Sequence, residues 1–501
     1  MQRALQLAFA AALAACADPP PVTYVDDVAP ILARHCVGCH NPQGSAPFAL
    51  LDYDDARRKA GPIAQVTANG SMPPWKPRAG GDVFHGARGL TADERGLLAR
   101  WSRDGAAAGE GAEAIALEAP TPGWALGDPD VVLTMDQPFL VPADGGELWA
   151  SFAVSTDFGG DRYLRGVEIR HANAKPVHHV ILWIDPEGSL RDLAEAGAAG
   201  PGSLVQVDQA APGEILGGWI PGIEARAFPD HTAALLPAGA DLVFEHHFVT
   251  TGRPEEIRTS LGLHFATEPP ERPLGVIQLT GGAIHVLPGE RDYSVRSTTT
   301  LPVETELIAI TPHAHYVCRG LEITARLPDG DSRSLIAIDD WDPAWQSTYW
   351  FVDPPILPAG TAVELAFTLD NSASNPRNPH RPPRRVIFGA RSDQEMAEVF
   401  CHVVARDAEA FGRLREALVD AVRGAGNEHR VWQALVDQFD ADGDGSLDAE
   451  EDAAASLLVD GIWDQPELLL RVADSDDSGD LDEAERAEVQ RWIGVWHGQR
   501  D

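Results

Sequence analysis

Apolar and polar positions repeat with different periods along this chain, and the period changes twice. From residue 23 to about 113 the apolar positions recur at helical spacing. Val28-Ala29-Pro30-Ile31-Leu32 opens one segment, and Thr91 with Glu94 has capping-box spacing ahead of Leu97, Leu98 and Trp101. Residues 105–118 turn to Ala, Gly and Glu and read as a linker. From about 122 to 412 the apolar runs are short, alternate in places and favour Val, Ile, Phe and Thr, as in 177–184, 242–249, 321–327 and 362–369. Turns such as Leu327-Pro328-Asp329-Gly330 separate them, which predicts an antiparallel sandwich or jelly roll. A proline-rich join at 268–273 divides that stretch into two such domains, and from about 408 the pattern is helical and acidic again.

The beginning of the chain has a different logic. Arg3 is the only positive charge ahead of an Ala-rich apolar stretch too short to span a bilayer, which suits a signal peptide. It ends Leu13-Ala14-Ala15-Cys16, which resembles the lipobox of bacterial lipoproteins, where the cysteine is acylated; an ordinary signal peptide with a chance cysteine is the alternative. The expectation is an exported protein, periplasmic or at the cell surface, with Cys16 as its lipid anchor and its only membrane attachment. Export permits covalent haem attachment and disulfides. The formal charge of -37, from 39 basic and 76 acidic residues, argues against nucleic acid or anionic lipid as a partner.

Cys36-Val37-Gly38-Cys39-His40 is the attachment sequence of c-type haem: two thiols add to the vinyl groups, and the adjacent histidine binds the iron. Zinc is the competing occupant, but no second cysteine pair lies nearby to complete its shell. The region resembles class I cytochrome c domains. In that family the second axial ligand is a methionine downstream, which Met72 in Gly70-Ser71-Met72-Pro73-Pro74-Trp75 resembles, with His85 nearby as an alternative.

Several of the 17 histidines are paired on apolar strands: His178-His179, His246-His247 and His313-Ala314-His315. A buried imidazole needs a partner for each ring nitrogen, so such pairs are candidate metal ligands. Residues i and i+2 of a strand share a face, roughly 6.5–7 Å apart, which suits His313 and His315. Adjacent residues point to opposite faces, so His178 and His179 can share a metal only at a bulge or strand end.

Residues 122–412 resemble the copper type II, ascorbate-dependent monooxygenases, the family of peptidylglycine α-hydroxylating and dopamine β-monooxygenases. The resemblance implies two jelly rolls with one copper on each. His178 and His179 match the family's adjacent pair at the electron-transfer copper. His247, followed by Phe248 and Gly252, matches the third ligand, with His246 the alternative. His313, His315 and Met396, in Arg391-Ser392-Asp393-Gln394-Glu395-Met396, match the ligands of the oxygen-activating copper. Imidazoles with a soft thioether favour Cu(I), the state that meets dioxygen. The animal enzymes carry a cysteine directly after the ligand methionine, where this chain has Ala397.

With Cys16, Cys36 and Cys39 assigned, Cys318 and Cys401 remain and are expected to form a disulfide. In the acidic tail, Asp440, Asp442, Asp444, Ser446, Asp448 and Glu451 form an EF-hand calcium loop, with glycine at its sixth position. Asp474, Asp476, Ser478, Asp480, Asp482 and Glu485 repeat the scheme.

The expected fold class is multidomain: a small all-α cytochrome c domain, two all-β jelly-roll domains and an all-α EF-hand pair. Its boundaries are a signal peptide at 1–16, a linker at 17–22, the cytochrome c domain at 23–113, jelly rolls at 122–270 and 271–407, and the EF-hand pair at 408–501. The expected activity is copper-dependent hydroxylation of a substrate C–H bond with O2, the substrate being a small molecule or a peptide. Haem c, two copper ions and calcium are the expected cofactors, with electrons from an external donor through the haem, from ascorbate, or from both. The alternative is a lipid-anchored electron-transfer or copper-binding protein without hydroxylase activity.

Overall fold

The computed structural model describes residues 20–498 except 43, 120–122, 192–213, 224, 283, 390, 443, 467–472 and 474–479. Cys16, Asp474, Asp476 and Ser478 therefore lie outside the described residues. The chain forms two compact units, one of Met1–Trp75 with Arg88–Pro122 and one of Lys76–Ala87 with Gly123–Asp501.

The described part of the first unit is helical: α1 Ala29–His35, α2 Tyr53–Arg58, α3 Ala60–Ala68 and α4 Ala92–Arg103. Pro30 sits in the first turn of α1, where its missing N–H costs nothing. Thr91 and Glu94 form the reciprocal capping box that starts α4. Ile31, Leu32, Ile63, Leu98 and Trp101 bury their side chains together with Tyr24.

The second unit holds the strands, numbered in chain order. They begin β1 Val131–Thr134, β2 Phe139–Val141, β3 Glu147–Ser155, β4 Arg162–His171, β5 Val177–Asp185, β6 Glu214–Trp219 and β7 Thr232–Leu236. Next come β8 Asp241–Val249, β9 Glu255–Ile257, β10 Thr259–Phe265, β11 Arg272–Thr280, β12 His285–Val286, β13 Tyr293–Thr300 and β14 Thr305–His313. The last are β15 Cys318–Arg326, β16 Ser332–Ile338, β17 Tyr349–Trp350, β18 Ile356–Leu357, β19 Ala362–Leu369, β20 Val386–Ile387 and β21 Glu398–Ala405. One four-stranded sheet runs β3-β8-β5-β6, another β13-β19-β15-β16, and a nine-stranded sheet runs β1-β10-β4-β7-β11-β21-β14-β17 with β18 also on β14. Three helices follow: α5 Ala408–Phe439, α6 Ala449–Asp460 and α7 Glu483–Trp496.

The four-part fold class expected from the sequence is corrected by this architecture. The chain is mainly β, with 33% strand against 22% helix, and the described residues present neither an all-α cytochrome c domain nor a separate all-α EF-hand pair. Helical periodicity identifies an apolar face but not what covers it. In the first unit the helices are only 7, 6, 9 and 12 residues long. In the tail, α5 lies on β11 and β21. Gly275 makes that contact possible, since a Cβ there would come within 2.1 Å of the Phe411 ring. Ile387 of β20 shares a core with Leu435, Leu447, Val459 and Trp496. Arg385 donates to the carbonyl of Trp496 at 2.7 Å, stacks on its ring and pairs with Asp452. At the join expected between the two jelly rolls, β7 pairs in parallel with β11, so one sheet takes strands from both sides of residue 270. Residues 76–87 also belong to the β unit, where Arg333 holds Asp82 and Phe84 bridges to Phe351.

Candidate metal centre

Register decides which histidines meet. On β8, Leu242, Phe244, His246 and Phe248 all contribute to or stack within the buried core, and His246 Nε2 is bonded to Thr259 Oγ1 at 2.8 Å. His247, one residue on, takes the opposite face. On β5 the pairing with β8 slips between Val177 (opposite Phe248) and His179 (opposite His247). His178 is the bulged residue, and this bulge turns two adjacent imidazoles to one side. Metal-binding atoms of His178, His179 and His247 lie within 4.8 Å of one another. Trp149 of β3 stacks flat on the His247 ring, centroids 4.1 Å apart, and meets His179 edge-on.

Burial lowers His178 to about 4 and His179 well below its usual range, and the neighbouring His247 adds to both shifts. Neutral imidazole is the form that binds metal. His247 Nδ1 is buried without a hydrogen-bond partner, and its Nε2 lies against the Glu147 carboxylate.

His313 ends β14 and His315 follows by two, their rings perpendicular with centroids 5.1 Å apart. His313 Nδ1 donates to Gln346 Oε1 at 2.5 Å, and His315 Nδ1 donates to the carbonyl of Gln394 at 3.1 Å. Each bond sets a tautomer that leaves Nε2 as the lone-pair nitrogen. Burial lowers His313 to about 3 and His315 to about 4. Beneath them, the Glu395 carboxylate accepts N–H bonds from His315, from Val317 and Cys318 at 3.0 Å each, and from Met396 at 2.9 Å. Burial raises Glu395 to about 7 despite those four donors.

Both groups of histidines face one cleft of about 340 Å³, lined also by Trp149. Glu147 of β3 bridges its two sides: it accepts from Ser392 Oγ at 2.5 Å and from the Tyr316 hydroxyl, and lies 3.5 Å from His247 Nε2. Burial would raise its pKa, but bonds from His247, Ser392 and Tyr316 outweigh it and bring Glu147 to about 2. Met396 does not line this cleft. It is half-buried two residues before Glu398, the register partner of His313.

The expected disulfide is corrected: Cys318 and Cys401 are both buried free thiols. They belong to different sheets. Cys318 opens β15 and donates to the Gly320 carbonyl at 3.7 Å, whereas Cys401 lies within β21 between Ile277 and Ile310.

In the first unit, Cys36 caps the C-terminus of α1, and the next turn bonds the His40 N–H to the Cys36 carbonyl at 2.9 Å. Both thiols are half-buried, and His40 Nδ1 donates to the Phe48 carbonyl at 3.1 Å, leaving Nε2 available. Met72 is half-buried after α3, its N–H bonded to the Val66 carbonyl at 3.0 Å.

In the acidic tail the carboxylates of Asp440, Asp442 and Asp444 lie within 4.8 Å of one another. Gly445 takes the positive φ of +83° that the sharp bend requires. Glu451 accepts from the N–H groups of Ala441 at 2.7 Å and Asp448 at 2.8 Å. Arg384 already holds Asp444 and Ser446 Oγ, and Arg391 donates to the Asp444 carbonyl at 2.6 Å. In the second loop Asp482 caps α7 with Glu485 as its reciprocal partner, and Asp480 precedes them.

Glu147, Trp149 and Glu395 carry no mark in the sequence, because an isolated acid or tryptophan has no spacing to set it apart.

No family model matches this sequence, and no curated protein matches it. Among solved structures, the infectious bursal disease virus VP2 subviral particle aligns at 11% identity over 57% of this chain and 75% of that one, with a TM-score of 0.18. The major capsid protein P2 of bacteriophage PM2 aligns at 10% identity over 55% and 97%, with a TM-score of 0.23. A two-domain protein of unknown function from Bacteroides fragilis aligns at 11% identity over 52% and 85%, with a TM-score of 0.14. Likenesses this loose assign neither a fold nor a function to the chain.

Proposed function

We propose that this protein is a copper-dependent monooxygenase that hydroxylates a substrate C–H bond. The supporting observation is that two groups of largely buried imidazoles face one cleft of about 340 Å³. The donor sets fit copper: three imidazoles converge, and His313 and His315 each keep Nε2 free. His178, His179 and His247 hold one ion; His313 and His315 hold the other, with Met396 as its thioether donor. Bound copper supplies the redox chemistry by which R–H, O2, two electrons and two protons become R–OH and water. The chain's own contribution is orientation. Gln346 and the Gln394 carbonyl fix the tautomers of His313 and His315, Trp149 holds the His247 ring, and Glu147 ties the two sides of the cleft.

A c-type haem would be held by Cys36 and Cys39, with His40 and Met72 offered to its iron, and would supply electrons; ascorbate is the alternative source. The donor bond from His40 to Phe48 orients the imidazole for that role. Calcium on the two acidic loops is a structural ion in this reading; a tail that stays helical after chelation would refute that part. Export and a lipid anchor on Cys16 complete the proposal.

A second reading, a copper-binding or electron-transfer protein, is favoured by one observation, that Met396 lies outside the cleft lining. Metal analysis of protein matured in a haem-attaching, exporting host separates the outcomes. One iron and two coppers per chain, with O2 consumed under a reductant, is the expected result. Two coppers without O2 uptake in a substrate screen supports the second reading, and iron without copper overturns both.

A further inference from the structure

Glu147 touches both sides of the cleft. It opens β3 and shares a face with Trp149, two residues on, which pairs in register with His247. Its carboxylate therefore reaches the His247 ring, with Oε2 3.5 Å from Nε2. From the opposite side the same carboxylate is held by the hydroxyls of Ser392, at 2.5 Å, and of Tyr316. Tyr316 follows His315 in the chain, and Ser392 lies two residues before Gln394, whose carbonyl accepts the His315 Nδ1–H.

The contact with His247 decides a tautomer. An ionised carboxylate has only lone pairs to offer, so it repels a bare ring nitrogen and attracts an N–H. Nε2 therefore carries the ring hydrogen, and Nδ1, buried without a hydrogen-bond partner, keeps the lone pair that can bind an ion. In the neighbouring pair it is also the Nδ1 atoms that meet. Those of His178 and His179 lie 3.1 Å apart, and both rings pack on His247, with centroids 4.7 and 4.9 Å from it. A carboxylate on the second ring nitrogen is the common way to orient a metal-binding histidine.

We propose that Glu147 is the positioning residue of the three-histidine centre: it fixes Nδ1 of His247 as the ligand nitrogen, and Ser392 and Tyr316 hold it there from the segments that carry and orient His315. Copper affinity at one centre then depends on side chains that flank the other. This rests on the copper assignment of His178, His179 and His247 and deepens it.

The test begins with the full-length protein stripped of copper and labelled with 15N-histidine. His247, assigned by its loss in His247→Gln, is expected to show a protonated Nε2 and a bare Nδ1. Copper is then titrated in a His313→Ala, His315→Ala background, which leaves only the three-histidine centre. Glu147→Leu should lower its affinity about 10- to 100-fold, the usual cost of losing an outer partner. Glu147→Gln is the same size and keeps an acceptor oxygen, so it should recover most of that loss. Ser392→Ala with Tyr316→Phe should lower the affinity about tenfold, because the carboxylate is then free to swing away from His247.

A protonated Nδ1 in the wild-type protein would overturn the proposal. So would unchanged affinity in Glu147→Leu or in the Ser392 and Tyr316 variant, or equal losses in the Leu and Gln variants, which would mark packing alone. The wild-type tautomer needs no change at Glu147, so a variant that fails to fold leaves the test standing. It also needs no copper, so its failure leaves the copper reading intact. Native protein that binds no copper would remove that reading, and this proposal with it, whatever the tautomer.

Discussion

The two histidine groups differ in what holds them. His178, His179 and His247 belong to adjacent strands of one sheet, so backbone pairing and one bulge bring their rings together. His313 and His315 lie at and beyond the end of β14, and their proposed third partner, Met396, lies on the segment entering β21. There the positioning is done by one buried carboxylate, Glu395, which gathers four N–H groups from both segments. In the proposed copper reading, the group built on sheet register is already assembled in the protein itself. In the same reading, the group at the strand ends depends on side-chain bonds, and its thioether would join only when metal binds.

The sharpest way to break the comparison is inside the sheet. His247→Ala should remove one copper per chain, with affinity at that site falling more than about 100-fold, beyond what losing an outer partner costs. His246→Ala should leave copper stoichiometry unchanged and cost about 2–4 kcal/mol of stability by opening a core cavity. Calorimetric copper titration and denaturant melts separate the two, and equal copper loss in both variants would mean the register assignment fails.

At the strand ends the effects are smaller and spread over partners. Glu395→Gln should cost about 2–3 kcal/mol, since the amide nitrogen cannot accept the N–H bonds the carboxylate takes. It should weaken only the copper at His313 and His315, measured by competition with a Cu(I) chelator. Met396→Leu should lower Cu(I) affinity at that site about 10-fold or more if the thioether joins when metal arrives; unchanged affinity would restrict the site to two imidazoles.

Acid should act on both groups. Folded His178 and His315 titrate at about 4 and His313 at about 3, below the usual histidine value of 6.5. The unfolded chain therefore binds protons first as pH falls below that value, and stability drops towards the folded pKa values. Metal-free protein should lose melting temperature steadily from about pH 6.5 to about pH 4. A flat profile would show that these imidazoles are more accessible to protons than their burial implies.

Much of the local structure was legible along the chain. The apolar runs at 177–184 and 242–249 correspond to β5 and β8, and the Thr91 and Glu94 pair marks the start of α4. The i and i+2 spacing identified His313 and His315 as a pair because strand periodicity is a local property. The choice of His247 over His246 came from the family resemblance and not from spacing, because neighbouring residues differ only in which face the sheet buries. The disulfide failed for a related reason. Elimination left Cys318 and Cys401 as the remaining thiols, but counting says nothing about the two sheets that hold them.

By itself the sequence determined the periodicities, the caps, the Cys-x-x-Cys-His motif at Cys36 to His40 and the supply of imidazoles. Those depend on residues within a few positions of one another. Tertiary structure alone decided that β7 pairs with β11 across the expected domain join, that the tail helices lie on the sheets, and that His178 bulges towards His247. It alone placed Glu147 between the two sides of the cleft. The physical reason is the same in each case. Burial and pairing free energies depend on which surfaces meet after the chain has folded, and residues far apart in sequence carry no local mark of that meeting.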